Sequence, residues 1–158
     1  MFECTRPGIR RRGAAGWEVA HQKPWELRVQ SKLRAGRPPV EPPEYMIVGL
    51  DEHGLAAVLT YRELDGPAQV ELAIGAVALR CRGKGGGYAD EMLEEGLDRI
   101  AERAYNEGID VIHLSTLVHE SNRASHSLCR RLQMRHTGMF SETLQQWTAV
   151  LYLGEEQS

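Results

Sequence analysis

Between Val77 and Ala89 the chain reads Val-Ala-Leu-Arg-Cys-Arg-Gly-Lys-Gly-Gly-Gly-Tyr-Ala. An apolar run ends, Arg82 and four glycines fall within six consecutive positions, and a helical pattern begins at once. The junction predicts a strand that feeds a helix through a loop free to adopt positive φ and to let its backbone approach another group closely. The first turn of such a helix presents unpaired N–H groups and the positive end of its dipole. That combination suits a phosphate or pyrophosphate. The alternative is a glycine-rich turn that binds nothing.

Three phosphate-binding patterns can be compared with these residues. A nucleotide P-loop needs a Lys followed by Ser or Thr after the last glycine, whereas Lys84 precedes Gly85, Gly86 and Gly87. A dinucleotide fingerprint needs a third glycine where Tyr88 stands. The pattern R-x-x-G-x-G is met in full by Arg82, Gly85 and Gly87. A second segment follows about forty residues later: Asn122-Arg-Ala-Ser-His-Ser-Leu-Cys-Arg-Arg-Leu-Gln-Met134. With these two segments in this order the chain resembles the GNAT superfamily of acetyl-CoA-dependent N-acetyltransferases, whose second signature is roughly N-x-x-[AS]-x-x-L-Y-x-x-x-G-F. Asn122, Ser125 and Leu128 match it. Cys129 stands where the family usually has Tyr, and Gln133-Met134 where it has Gly-Phe. The resemblance covers roughly residues 45–153.

The resemblance implies an α/β (α+β) GNAT fold: a mostly antiparallel mixed sheet of six to seven strands, helices on both faces, and one parallel β-α-β crossover. It implies acetyl-CoA as cosubstrate, a primary amine as acceptor, direct attack in a ternary complex, and no metal. The coenzyme pyrophosphate would lie on Arg82, Gly83, Lys84, Gly85, Gly86, Gly87 and Tyr88. Main-chain groups of Val77 and Leu79 would hold the pantetheine along a strand that splays from its neighbour, with Val77 N–H facing the acetyl carbonyl. Asn122 and Ser125 would contact the pantetheine arm, although Asn at a helix start is also an ordinary cap. Gly75 marks either a bulge or close approach in that strand, or packing against a large neighbour.

Two residues are candidates for proton transfer. Glu71 stands six residues before Val77, where several family members place a catalytic Glu. Simple period-two alternation puts it on one face with Ala73, Gly75 and Val77. It would accept the amine proton; the alternative is a salt-bridged Glu. Cys129 occupies the position of the family's proton-donating Tyr. A thiol is a shorter, weaker donor, and the competing reading is a small buried hydrophobe. Tyr88, His126 or solvent could serve instead. The departures at Cys129, Gln133 and Met134 keep open an acyl-CoA-binding module with weak or no catalysis.

The remaining sequence bounds the answer. Its 158 residues suit one domain with a real core. No run approaches a membrane span, and the N-terminal residues show no apolar leader core, which predicts a cytoplasmic protein without a membrane partner. Cys4, Cys81 and Cys129 show neither a disulfide framework nor zinc spacing. The net charge of −3 divides into +4 over residues 1–44 and −7 over 45–158. The basic part, with Arg6, Arg10, Arg11 and Arg12, reads as a flexible tail over residues 1–16 rather than a nucleic-acid site. A single domain would then span residues 17–158.

Periodicity predicts a short strand at 17–20, a helix from Pro24 to about Ala35, and an extended proline-rich loop over 37–44. Strands follow at 45–50, 55–63 and 69–79, then a helix over 87–107 ended by Gly108. A buried strand at 111–118, in which His113 reads as a satisfied core or cleft residue, a helix at 122–132 and a strand pair at 133–142 and 145–153 complete the chain. Trp17, Trp25 and Trp147 read as packing residues. The exposed edge of the last strands invites homodimerisation. Residues 17–44 are too short for two full helices, leaving an open acceptor groove suited to a peptide amine.

Overall fold

Turn chemistry sets the first sheet pairing. Asp51 Oδ1 accepts the His53 N–H at 2.8 Å, and Gly54 takes φ +101°. The aspartate and glycine thereby close a hairpin, as their types favour. The computed structural model describes residues 1–13, 16–35, 44–83 and 87–154. Its elements are β1 (Ile9–Gly13), β2 (Gly16–Ala20), α1 (Pro24–Arg34), β3 (Glu44–Asp51), β4 (Gly54–Glu63) and β5 (Gln69–Val77). A 3-10 turn (Leu79–Cys81), α2 (Tyr88–Asn106), β6 (Val111–His119), α3 (Arg123–Arg131), β7 (Arg135–Met139) and β8 (Leu144–Tyr152) follow.

Six strands form one sheet in the order β3-β4-β5-β6-β8-β7, and β1-β2 is a separate hairpin. Among the described residues only β5 and β6 pair in parallel; the other neighbours are antiparallel. A parallel pair needs a crossover, which α2 supplies. The predicted mixed architecture is therefore the observed one. The predicted proline-rich loop falls mostly outside the described residues.

The face of the sheet under α2 carries the core. Leu59, Tyr61, Val70, Leu72, Ile112 and Leu114 from the strands meet Leu93, Ile100 and Ala104 from α2. Gly96 brings α2 close to β4, where a Cβ would collide with Leu59 Cδ2. Cys129 of α3, Met134 and Trp147 extend the same core. Helix α1 lies on the opposite face, where the Trp25 ring stacks on His119 at 4.5 Å.

Two expectations are corrected here. Residues 1–16 are not an irregular tail: Ile9–Gly13 pair with Gly16–Ala20, and Cys4 and Thr5 are buried. His113 is exposed, because β6 buries its even-numbered residues Ile112, Leu114 and Val118 and turns the odd ones to the other face.

Candidate functional site

Strands β5 and β6 run together only from the pair Gln69/His113 to the pair Leu72/Thr116. Beyond that point β6 continues to His119 beside β8, while β5 continues to Val77 without β6. The sheet therefore opens into a V. At its apex the Thr116 hydroxyl donates to the Leu72 carbonyl at 2.8 Å.

The backbone on the open side of β5 follows from ladder parity. Ala78 N–H donates to Ala56 C=O at 2.8 Å, which makes Ala78 and Ala56 a hydrogen-bonded pair. Val77 with Ala57, and Gly75 with Leu59, are then pairs of the other class. Their N–H and C=O groups point away from β4, into the V. A Cβ on Gly75 would meet no atom within 4 Å, so this glycine leaves space rather than fitting a neighbour.

The bulge predicted near Gly75 lies two residues earlier. Tyr61 pairs with Leu72 and Thr60 with Ile74, leaving Ala73 as the extra residue. One extra residue reverses the alternation that follows. Glu71 therefore does not share a face with Gly75 and Val77. It pairs with Arg62 and faces the α1 side, the same side as Ala76. Arg62 Nε and Nη2 both donate to Glu71 Oε2, at 3.1 and 2.8 Å.

The 3-10 turn after β5 is held firmly. Arg80 Nη2 donates to Asp51 Oδ1 at 2.7 Å and to Leu55 C=O at 3.1 Å, pinning the turn to the β3–β4 hairpin. This bond holds the Asp51 carboxyl down at about 2. Gly83 and Gly87 adopt φ +69° and +62°, in the region that favours glycine, with open space around both. Lys84, Gly85 and Gly86 lie outside the described residues. Gly87 is the N-cap of α2 and offers no side-chain cap. Tyr88 opens the helix and packs beside Ala56, Ala78 and Cys81. The acidic Asp90 of the first turn is partly offset by Arg131 at 2.9 Å.

Arg82 does not stand free beside the glycines. Its Nε donates to Val77 C=O at 3.1 Å, Nη1 to Glu26 at 3.0 Å and Nη2 to Cys4 C=O at 2.7 Å. Leu79 is also engaged, its N–H donating to Glu3 C=O at 2.7 Å and its C=O accepting from Arg82 N–H. In this conformation both residues bind the segment 2–5 instead of presenting themselves to a ligand.

On the far side of the V, Asn122 Oδ1 accepts the Ser125 N–H at 3.2 Å and caps α3, as its type predicts. Cys129 is 5% exposed in the common core, and burial pushes its thiol up to about 11. Proton transfer from such a thiol to an ordinary thiolate, near about 8.5, runs uphill. Its place in the core is what the packing alternative for Cys129 expects. His126 is buried against Trp147, with ring centroids 5.5 Å apart. Burial, and then the Arg130 charge, holds its imidazole below the usual range.

Some of these features have no sequence pattern behind them. Thr116 sits in a strand with nothing to mark its bond to Leu72. The segment 2–5 does leave a trace, since apolar Phe2 and Cys4 alternate with Glu3 and Thr5. Among the described residues no cluster of His, Cys, Asp or Glu is arranged to hold a metal, and no helix is long and apolar enough to cross a membrane.

No protein-family profile matches the chain, and no curated protein does. Solved structures do. An acetyltransferase from Thermus thermophilus superposes with a TM-score of 0.56 at 15% identity, over 80% of this chain and 73% of that one. The PaiA N-acetyltransferase of Thermoplasma acidophilum, solved with coenzyme A, gives 0.55 at 11% identity, over 80% and 70%. The ribosomal-protein-S18-alanine N-acetyltransferase of Escherichia coli gives 0.54 at 14% identity, over 80% and 78%. The class is thus a mixed α+β protein with a split sheet. The particular fold is that of the GNAT superfamily of N-acetyltransferases.

Proposed function

We propose that the protein is an N-acetyltransferase that moves acetyl from acetyl-CoA to a primary amine by direct attack in a ternary complex. One observation carries the reading: Gly75 and Val77 direct their backbone groups into a V-shaped opening whose open end leads to the positive-φ Gly83 and Gly87 and the start of α2. A pantetheine arm is a chain of amides, and the outer edge of a splayed strand offers it a ladder. Gly83 and Gly87, with Lys84, Gly85, Gly86 and Tyr88 between and beside them, suit the pyrophosphate. Asn122 and Ser125 border the other wall of the V.

Bound acetyl-CoA supplies an activated thioester carbonyl. The chain's own part is to position, to donate and to accept. Val77 N–H, aimed into the V, is the donor for the acetyl carbonyl oxygen. Glu71, on the α1 face beside the apex, takes the amine proton, and Arg62 fixes its orientation. Solvent protonates the departing thiolate, Cys129 being packed in the core. The acceptor, a peptide or small-molecule amine, approaches from the α1 side, which Glu71 faces.

Release of free thiol from acetyl-CoA on adding amines, peptides or aminoglycosides tests the reading. A second reading, an acyl-CoA-binding module without turnover, is favoured by the buried Cys129 at the family's Tyr position. It predicts coenzyme binding with no thiol release for any acceptor.

A further inference from the structure

The segment 2–5 forms a strap between α1 and the turn that follows β5. Its backbone carbonyls are gripped in succession: Phe2 by Arg34 Nε at 2.9 Å, Glu3 by the Leu79 N–H at 2.7 Å, and Cys4 by Arg82 Nη2 at 2.7 Å. The side-chain oxygen of Gln30, a buried residue of α1, accepts the N–H groups of Cys4 at 2.8 Å and Thr5 at 3.2 Å. Arg34 adds an ion pair to Glu3 at 3.5 Å, and Phe2 packs against Ala56, Ala78 and Cys81. The strap is therefore tied at one side to α1 and at the other to β5 and the turn that follows it.

Its position overlaps the coenzyme seat proposed above. Leu79 N–H is the donor that continues the edge formed by Gly75 and Val77, and Glu3 already takes it. The Val77 carbonyl, which points into the V, is taken by Arg82, whose other arms hold Cys4 and Glu26. An amide of the pantetheine arm and the Glu3 carbonyl cannot share one N–H with good geometry.

We infer that residues 2–5 form an autoinhibitory strap that occupies the pantetheine edge at Leu79 and must lift before acetyl-CoA seats fully, Arg82 acting as its latch. This inference rests on the coenzyme site proposed above. Strap-closed protein is not binding-competent, so the apparent affinity is the intrinsic affinity multiplied by the fraction of molecules that are open. Anything that weakens the strap without touching β5 or the glycine turn should tighten coenzyme binding. Gln30 and Arg34 are such handles, since both lie on α1 and contact only the strap among the groups in question.

Coenzyme A is titrated calorimetrically into the wild type, Gln30→Ala and Arg34→Ala, with melting temperature and Leu79 amide exchange followed in each. The expected result is faster Leu79 exchange in both variants and a dissociation constant about fivefold or more lower than wild type, the scale of one lost neutral hydrogen bond. Arg34 is exposed, so its variant tests the strap even if Gln30→Ala folds poorly. Equal or weaker binding by folded Arg34→Ala whose Leu79 amide exchanges faster overturns the strap while leaving the coenzyme site intact. Unchanged Leu79 exchange in both variants overturns the linkage between α1 and the strap. No coenzyme binding by any of the three proteins overturns the site itself, and the strap with it.

Discussion

Thr116 donates its hydroxyl to the Leu72 carbonyl at 2.8 Å, at the last register pair before β5 and β6 separate. This bond caps the apex of the V. Replacing Thr116 by Val keeps the shape and removes the donor. The expected cost is about 1 kcal/mol, or a fall of roughly 2–4 °C in melting temperature for a chain of this size. An unchanged melting curve would show that the apex is closed by the strands alone.

Glu71 is bound to Arg62 and sits on the α1 face, where the acceptor is proposed to bind. Glu71→Gln should lower kcat by about a hundredfold or more while the coenzyme dissociation constant barely moves. Arg62→Gln, which removes only the orienting partner, should cost less in kcat. Equal losses in both variants, matched by equal losses of melting temperature, would reduce the pair to a structural ion pair.

Cys129 gives a pH test with a defined sign. Its folded-state value is raised, from an ordinary value of 9.0 to about 11, so folding favours the neutral thiol. The associated stability is fully present below the ordinary value of 9.0 and is lost as pH rises through about 11. The loss should reach about 2–3 kcal/mol in the wild type. Cys129→Ala should lack this alkaline phase, and its kcat at neutral pH should match the wild type. A large fall in kcat at neutral pH would restore Cys129 to the chemistry.

Gly96 lets α2 lie against Leu59 of β4. A side chain there must displace a buried leucine, so Gly96→Val should destabilise by about 1–3 kcal/mol, read in denaturant melts. A neutral result would mean that α2 can shift outward at little cost.

Much of this was legible in the sequence because it is local. Gly54, Gly87 and Gly108 mark turns and helix limits, Asn122 marks a cap, and the stripe from Leu93 to Ala104 marks the buried face of α2. The element succession and the single parallel crossover followed from the alternation of strands with helices; the place of β8 between β6 and β7 did not. What escaped depends on long-range partners. Nothing near Ala73 announces a bulge, yet that residue decides which face Glu71 shares with its neighbours. Arg82 matches a phosphate motif by position, but its guanidinium is satisfied by Cys4 and Glu26, which are distant in sequence. The strap at residues 2–5 leaves only a four-residue alternation, and its partners Gln30, Arg34, Leu79 and Arg82 are all distant in sequence.

Amide hydrogen exchange of Gly75 and Val77, with and without saturating coenzyme A, bears most directly on the split strand edge as the coenzyme's seat. Both N–H groups should slow by about tenfold or more when the coenzyme is bound. Unchanged exchange at both amides in a large excess of coenzyme A would contradict the account.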